Sequence, residues 1–442
     1  MNMSSVFSRP GLSHAHLSRS LFALALLASL NLQANAAPKA SAVTPTGNAP
    51  VTTGMTGEVP PPAVAARAFA LLDMSTGQRL AAQDPDMRVE PASLTKLMTA
   101  YLTFNALREK QLTLEQTVAV SQRAWKATGS RMFIEPNKPV TVGELVRGMI
   151  IQSGNDASVA LAEAIAGDET QFATLMNREA NRLGMKNTQF RNATGLPDPQ
   201  HYSTAQDLTL LASALVRDHP DFYKFYSERE YTYNGIRQPN RNKLLTIDST
   251  VDGMKTGYTE NAGYCLVSSA KRTLPNGVDR RLVSVVLGAP SDNVRAQESL
   301  KLLNYGFQMF ETVKLYGENQ VVATPDIFKG VRPTLKTGFQ RNVIISVPRG
   351  AAGKLQASFQ KVDPLIAPVK AGQPVGQLQV TLDGKVLLET PMVALEDLDT
   401  SGLVGRLVDS GKLWWKARQS ANTQTPAQAP AQTPAPAPAA AQ

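Results

Sequence analysis

Glu90-Pro91-Ala92-Ser93-Leu94-Thr95-Lys96-Leu97-Met98 marks the point where the chain stops reading as strand and starts reading as helix. Upstream, Ala68-Phe69-Ala70-Leu71-Leu72-Asp73, then Ser75-Thr76-Gly77, then Arg79-Leu80-Ala81 read as strand, turn and strand. Downstream, Leu94, Leu97, Met98, Tyr101, Leu102 and Leu107 recur at helical spacing, so an amphipathic helix is expected to open at Ser93. The same period returns at Leu145, Val146, Met149 and Ile150, and again at Val159, Leu161, Ala162 and Ile165. Strand patterns come back at residues 263–270 and 281–287, and an amphipathic helix over residues 295–310 closes the region. Strands from both ends around a helical insert predict one α+β domain whose sheet pairs sequence-distant segments.

From about residue 321 to 395 the chain turns β-rich. Leu378, Val380 and Leu382 alternate up to Asp383-Gly384 and on through Val386 and Leu388, a strong hairpin signal in a second, small β domain without catalytic candidates. Residues 1–36 combine Arg9 and Arg19, the apolar run Leu21-Phe22-Ala23-Leu24-Ala25-Leu26-Leu27-Ala28, and Ala34-Asn35-Ala36, the pattern of a signal peptide. That run falls short of the roughly 20 residues that cross a bilayer. Residues 37–64, rich in Pro, Thr, Gly and Ala, are expected to be a linker, and residues 419–442, built of Ala, Pro, Gln and Thr without charge, a disordered tail. Over residues 403–418, Leu403, Val404, Leu407, Val408, Gly411, Trp414 and Trp415 fall on one helical stripe, while Asp409, Lys412 and Lys416 face away. With Arg406 and Arg418 the basic residues outnumber the lone Asp409, which predicts a membrane-anchoring helix lying in the interface, too short and too charged to span it.

The 442-residue chain carries 45 Lys+Arg against 36 Asp+Glu, one cysteine and four histidines. One cysteine excludes an intrachain disulfide framework, and Cys265, in the apolar run Gly263-Tyr264-Cys265-Leu266-Val267, reads as a small buried hydrophobe. His14 and His16 fall in the export segment, so only His201 and His219 remain for a metal site or a Ser/His/Asp triad; a hydrolase built here needs another base. Removing the export segment takes two basic and no acidic residues, which lowers the formal charge from +9 to +7. A basic exported chain without a Lys/Arg run suits anionic lipid or cell-wall polymer, not nucleic acid.

Three short motifs carry chemistry: Ser93-Leu94-Thr95-Lys96, Ser153-Gly154-Asn155 and Lys255-Thr256-Gly257. Each is weak alone, since chance supplies on the order of one or two S-x-x-K, one S-x-N and about a tenth of a K-T-G in such a chain. Decoys exist at Ser268-Ser269-Ala270-Lys271, Ser291-Asp292-Asn293 and Lys336-Thr337-Gly338. Context separates the two sets. The Ser93 hydroxyl falls in a first helical turn, where free N–H groups favour developing negative charge, and Lys96 shares its face one turn on. A partly desolvated lysine can lose its proton near neutral pH and take that of the serine. Ser268 lies inside a strand pattern and points away from Lys271. Ser153-Gly154-Asn155 interrupts two helical patterns, a loop position from which a hydroxyl and an amide reach into a cleft. Lys255-Thr256-Gly257 immediately precedes the return to strands, where a sheet edge can hold an extended peptide and the lysine attract a carboxylate. Lys336-Thr337-Gly338, beyond the closing helix, is expected as a solvated turn.

The chosen motifs stand 60 and 102 residues apart, the decoys 23 and 45. That order and spacing resemble the penicillin-binding protein and serine β-lactamase superfamily, whose three motifs meet in one cleft. From about residue 66 to 418 the chain resembles the low-molecular-mass D-alanyl-D-alanine carboxypeptidases of the penicillin-binding protein 5 type (peptidase S11 family). The matching stretches are Arg131-Met132-Phe133, Gln152-Ser153-Gly154-Asn155-Asp156-Ala157, Tyr202-Ser203-Thr204-Ala205, Asn234-Gly235-Ile236-Arg237-Gln238 and Asp252-Gly253-Met254-Lys255-Thr256-Gly257. The resemblance implies an α+β, DD-peptidase-like catalytic domain over residues 65–316, an antiparallel sheet with a large helical insert. A small all-β domain over residues 317–402 and the anchoring helix would follow. It implies Ser93 as acylated nucleophile, Lys96 as acylation base, Ser153 with Lys255 as proton relay, and Asn155 on the peptide amide. Thr256 beside Gly257, Arg241 and Arg295 would lie near the substrate's terminal carboxylate, and the backbone N–H groups of Ser93 and Tyr258 would form an oxyanion hole. Tyr258 departs from the His that follows K-T-G in the best-known members, which bears on substrate preference and deacylation.

The implied function is removal of the terminal D-Ala from peptidoglycan pentapeptides through an acyl-enzyme, with β-lactams as covalent inhibitors. No metal, organic cofactor or nucleic acid is implied, and the implied place is the periplasm, at the outer face of the cytoplasmic membrane. A class A β-lactamase shares the motifs but deacylates with a glutamate after the S-x-N helix, and no Glu occurs between Glu179 and Glu228. A DD-endopeptidase is chemically closer, although such relatives usually lack the second domain. A non-catalytic cell-wall scaffold is the rival from another class; the intact Ser93, Lys96, Ser153 and Lys255 count against it.

Overall fold

Residues 59–274 and 279–422 are described by the computed structural model. The expected signal peptide, most of the linker and the tail beyond Asn422 lie outside them. Strands β1 (Ala68–Asp73) and β2 (Gln78–Gln83) come first, turning through Gly77 at φ 76°. A 3-10 turn, Ala92–Thr95, leads into α1 (Lys96–Arg108). The insert continues with α2 (Val142–Ile151), α3 (Asn155–Ala166), α4 (Glu169–Arg182) and α5 (Ala205–Asp218). The chain then returns as β3 (Val251–Thr259), β4 (Gly263–Thr273), β5 (Asp279–Ala289) and α6 (Asp292–Met309). The sheet runs β2-β1-β5-β4-β3, antiparallel throughout, with Ala70 of β1 opposite Val285 of β5, so the ends of the domain close on each other as expected.

Period-two alternation puts a core on each side of this sheet. Ala68, Ala70, Val283, Val285 and Leu287 pack against the helical insert, whereas Phe69, Leu71, Leu282 and Val286 pack against Leu302 and Leu303 of α6. The segment ahead of β1 joins the second core. Val59 and Val64 pack there, and α6 holds them through Tyr305 Oη to the Val59 carbonyl (3.0 Å) and Lys301 Nζ to the Ala63 carbonyl (3.0 Å). The last residues of the expected linker therefore belong to the folded body.

Helix α1 is not amphipathic. All its residues from Lys96 to Leu107 except Asn105 are buried, because it runs between the sheet and the rest of the insert. Its threonines tolerate burial by bonding: Thr99 Oγ1 donates to the Ala193 carbonyl (2.7 Å) and Thr103 Oγ1 to the Thr99 carbonyl (2.8 Å), while Thr95 Oγ1, in the turn just ahead, meets His201 Nε2 (2.9 Å).

The second domain begins without a loop. Strand β6 (Phe310–Tyr316) follows α6 directly and pairs with β7 (Val343–Pro348), so the domain starts at Phe310 and not at residue 317. Strands β8 (Leu355–Lys361), β9 (Pro374–Leu382) and β10 (Lys385–Ala394) form successive antiparallel pairs, and the β9–β10 hairpin turns at Asp383 (φ 47°) and Gly384 (φ 80°) as the Asp-Gly signal predicts. Thr337 and Gly338 are not a solvated turn: they are buried and pair with Ala394 and Val393 of β10. The other decoys are structural too, since Ser268 Oγ bonds Ser284 Oγ (2.7 Å) inside the sheet and Ser291 caps α6.

The domains meet in a buried polar node. Arg280, fully buried on β5, donates from Nε to Asp73 Oδ2 (2.7 Å) and from Nη1 to the Phe310 carbonyl (2.9 Å). Ser346 of β7 donates to the same Asp73 oxygen (2.6 Å), and its backbone exchanges two bonds with the Gln78 amide. Removing one partner of such a buried charge pair costs roughly 3–5 kcal/mol.

The terminal helix α7 spans Leu403–Asn422, four residues into the stretch expected as a disordered tail; that stretch carries no proline before Pro426. Its polar side faces the β domain, where Asp409 Oδ2 accepts the Lys329 N–H (2.6 Å) and Lys416 pairs with Asp363 (2.6 Å). Leu403, Val404, Leu407, Val408, Trp414 and Trp415 are each more than half exposed. No helix among the described residues is long and apolar enough to cross a membrane.

Candidate active site

Three chain segments meet around Ser93, the first of them its own turn. Ala92 holds φ 48°, an uncommon conformation for a non-glycine residue, and leaves Ser93 half-buried between buried neighbours. Strand β3 lies at the edge of the sheet and packs against the turn. A Cβ at Gly257 would stand 3.1 Å from the Pro91 carbonyl oxygen, so glycine permits this approach. The third segment, residues 192–196, comes so close that a Cβ at Gly195 would sit 1.8 Å from the Ala92 carbonyl oxygen, and Gly195 also needs φ +83°.

Lys96 opens α1 directly beneath the serine. Its Nζ donates to Ser93 Oγ at 2.9 Å and to the Thr194 carbonyl at 2.6 Å. Burial lowers its pKa from 10.5 to about 7; the Arg241 guanidinium pushes the same way and the Asp156 carboxylate opposes. Lys255, on β3, is also held well below its ordinary range by burial first, then by Lys96, Arg241 and Arg295. The site thus gathers four basic side chains, Lys96, Lys255, Arg241 and Arg295, an arrangement that favours an anionic ligand and an unprotonated lysine.

Ser153 lies between α2 and α3 at φ 66°, and its buried Oγ has no hydrogen-bond partner among the described residues. It is not bonded to Lys255, whose Nζ donates to the Thr256 carbonyl at 3.0 Å. Asn155 Nδ2 donates to the Thr128 carbonyl (2.6 Å), which leaves its buried Oδ1 free to accept an amide N–H. Arg241 bonds Ser130 Oγ (2.8 Å). Arg295 is buried, paired with Asp292, and donates to the carbonyls of Gly257 (3.3 Å) and Cys265 (3.4 Å), so it braces β3 from behind. Tyr258 is half-exposed and lies 4.4 Å from the Tyr264 ring.

Asp156 is a residue that the motif search passed over. Fully buried, its carboxylate accepts backbone N–H groups from Met132 (3.0 Å), Phe133 (2.8 Å), Ile134 (3.2 Å) and Ala157 (2.9 Å), and so fixes the S-x-N loop to residues 132–134. Its sequence signals were an acid in the first turn of a helix directly after the motif and its place inside the family-like stretch of residues 152–157. Histidine is no base here. Burial lowers both His201 and His219 to about 4; the first bonds Thr95, and the second packs against Tyr101 and Phe104. Cys265 is buried, its thiol pushed up to about 11 by burial.

A lysine-activated serine facing a strand edge and an open amide oxygen can perform acyl transfer on a peptide with an anionic end. The family model described as D-alanyl-D-alanine carboxypeptidase, peptidase S11, matches residues 55–291. The chain belongs to this family. A second model, the C-terminal domain of penicillin-binding protein 5, matches residues 310–400, in line with a domain start at Phe310. Among curated relatives of this S11 chain, the D-alanyl-D-alanine carboxypeptidase DacC of Escherichia coli is 43% identical over 357 residues, 79% of this chain and 88% of that protein. DacF of Bacillus subtilis is 36% identical over 79% of this chain and 90% of its own length. The crystal structure of penicillin-binding protein 5 from Haemophilus influenzae matches with a TM-score of 0.73 and 40% identity, covering 77% of this chain and 99% of that one. Penicillin-binding protein D2 of Listeria monocytogenes, solved in an ampicillin-bound form, matches at 31% identity and a TM-score of 0.51 over 56% of this chain and 100% of its own. The expected family, fold and enzyme class are those of the S11 carboxypeptidases.

Proposed function

We propose that the chain, a serine-type D-alanyl-D-alanine carboxypeptidase by family, removes the terminal D-Ala of peptidoglycan pentapeptides through an acyl-enzyme on Ser93. Lys96, unprotonated, takes the Ser93 proton as Oγ attacks the penultimate D-Ala carbonyl. The backbone N–H groups of Ser93 and Tyr258 receive the oxyanion, Asn155 Oδ1 accepts the acyl-side amide, and Ser153 with Lys255 returns a proton to the departing D-Ala nitrogen. Lys255, Thr256 and Arg241 receive the terminal carboxylate; Arg295 adds its charge from behind β3. Water then frees Ser93. The observation that carries this reading is the 2.9 Å contact of Lys96 Nζ with Ser93 Oγ, made by a buried lysine with a pKa of about 7. Purified mature protein is expected to release one D-Ala per pentapeptide and, with penicillin, to gain the mass of one penicillin on the Ser93 peptide. D-Ala release untouched by penicillin would overturn it.

Its proposed place is the periplasm, peripherally attached to the outer face of the inner membrane through α7. Support comes from the export pattern of residues 1–36 and from the orientation of α7, polar side on the β domain and apolar side exposed. Truncation before Leu403 is expected to turn a membrane-sedimenting protein into a soluble, fully penicillin-reactive one, with salt alone releasing only part of the full-length chain. Full-length mature protein that ignores anionic vesicles at low salt would end the anchor reading.

A further inference from the structure

Arg241 stands on a bridge, residues 240–243, between a two-stranded hairpin (Glu230–Tyr233 with Ile236–Pro239) and the helical turn Leu244–Ile247 that leads into β3. Its side chain is exposed and hydrogen-bonds Ser130 Oγ alone among the described residues, so the backbone of the bridge decides where the guanidinium stands. Upstream, the bridge is tied to the entry of the hairpin: the Asn240 N–H donates to the Arg229 carbonyl (2.7 Å) and its Nδ2 to the Glu228 carbonyl (2.9 Å). Downstream, exposed Lys243 reaches Asn293 of α6 (2.7 Å). The only hydrogen bond from the bridge to β3 among the described residues is made by Asn242, whose Nδ2 donates to the Gly253 carbonyl (2.9 Å). Asn242 is 2% exposed, and both ends of its carboxamide are used, since Oδ1 accepts the Leu244 N–H (3.1 Å). Asparagine supplies donor and acceptor from one short planar group, which neither an aspartate carboxylate nor a leucine does. Gly253 lies two residues ahead of Lys255, where the β3–β4 ladder shifts register. A Cβ there would stand 2.5 Å from Tyr223 Oη, so β3 is closely packed at the point where Asn242 holds it.

We propose that Asn242 is a positioning residue: its bond to Gly253 sets the place of the Arg241 guanidinium relative to the strand that carries Lys255 and Thr256, and with it how tightly the substrate's terminal carboxylate is held. The inference rests on the reading of Arg241 as a receiver of that carboxylate and deepens it. A carboxylate shared by two cationic groups needs them at a fixed separation, because a charge-assisted bond weakens quickly once donor and acceptor move apart. Along the chain, Arg241 and Lys255 are separated by a helical turn that ends in the exposed Ile247. Through the Asn242 carboxamide the path is one hydrogen bond long. Asn242 bonds neither Ser93 nor Lys96, so the activation of the serine does not pass through it.

The test compares two pentapeptides that differ only at the C-terminus, one ending in free D-Ala-D-Ala and one in its carboxamide, on the unaltered enzyme, Asn242→Ser, Arg241→Ala and the double variant. Serine keeps a hydroxyl for the Leu244 N–H but is too short to reach Gly253; Asn242→Ala serves as the second variant should Asn242→Ser fail to fold. Asn242→Ser is expected to lower kcat/KM on the free acid about tenfold, through KM, and to change kcat and the rate on the carboxamide less than about twofold. In the Arg241→Ala background the same substitution should cause no further loss, since the two residues act as one unit. An equal loss on both peptides, or an undiminished loss once Arg241 is gone, overturns the proposal and leaves Asn242 a part of the fold only. A KM unchanged by Asn242→Ser but raised by Arg241→Ala overturns it too, while the carboxylate reading of Arg241 stands. A KM on the free acid that Arg241→Ala leaves unchanged overturns that reading and this inference with it.

Discussion

Ser93→Ala is expected to form no penicillin adduct and to release D-Ala at least about 10⁴-fold more slowly, since removing a nucleophile abolishes the covalent route that the rest of the site serves. The fold should hold. The deleted oxygen is half-buried and accepts one bond, from Lys96 Nζ, which keeps the Thr194 carbonyl as its second acceptor. Ala92, with its positive φ, and Gly257, with its close approach, shape the turn through backbone that the substitution leaves alone. Intact-mass analysis with peptide mapping reads the outcome directly. A persistent adduct on the variant, or one at Ser268, would mean that the nucleophile lies elsewhere, although Ser268 is committed to Ser284 inside the sheet.

The second large effect is expected from Lys96→Arg, which keeps the charge and loses the base. Guanidinium stays protonated in proteins, so acylation should fall by about 10²–10⁴-fold, the usual contribution of a positioned general base. The unaltered enzyme supplies the companion measurement. With the Lys96 pKa lowered to about 7, its proton-free fraction rises with pH, from about a tenth at pH 6 to about nine tenths at pH 8, and the acylation rate should climb with it. The sign follows from the role: an amine accepts a proton only after losing its own, so acid slows the step. An acylation rate flat across that range, or near-normal acylation by the variant, would assign the serine proton to another group.

Much of this site was legible because its chemistry is local. Ser93 and Lys96 are three residues apart, and one helical turn is enough to bring them together. The hairpin at Asp383-Gly384 was equally plain, since only a few residue pairs accept two consecutive positive φ angles. What stayed hidden depends on partners far away in sequence. The Thr194 carbonyl on Lys96, the strained approach of Gly195 to Ala92 and the four N–H groups on Asp156 leave no mark in any short window. Helix α1 was misread as amphipathic because its threonines count as polar in a periodicity, although each meets a partner inside the core. The domain boundary was placed late because Met309 and Phe310 pass from helix to strand with no glycine, proline or polar cluster to mark the change. Residues 336–338 were taken for a turn because two paired residues are too few to show alternation.

The Asp73–Arg280–Ser346 node gives the molecule a property that neither domain has alone. The sealed charge pair belongs to the catalytic domain, and the β domain joins it through Ser346 Oγ on Asp73 and the Phe310 carbonyl on Arg280, so the joint cannot slip without leaving buried groups of that pair unmatched and behaves as a weld and not as a hinge. On the proposed anchoring, the height of the catalytic serine above the lipid surface is then a built-in dimension of the protein. On that proposed anchoring the enzyme would act like a blade set at one depth, trimming the layer of polymer that passes at that altitude rather than nearer or farther strands of the same chemistry.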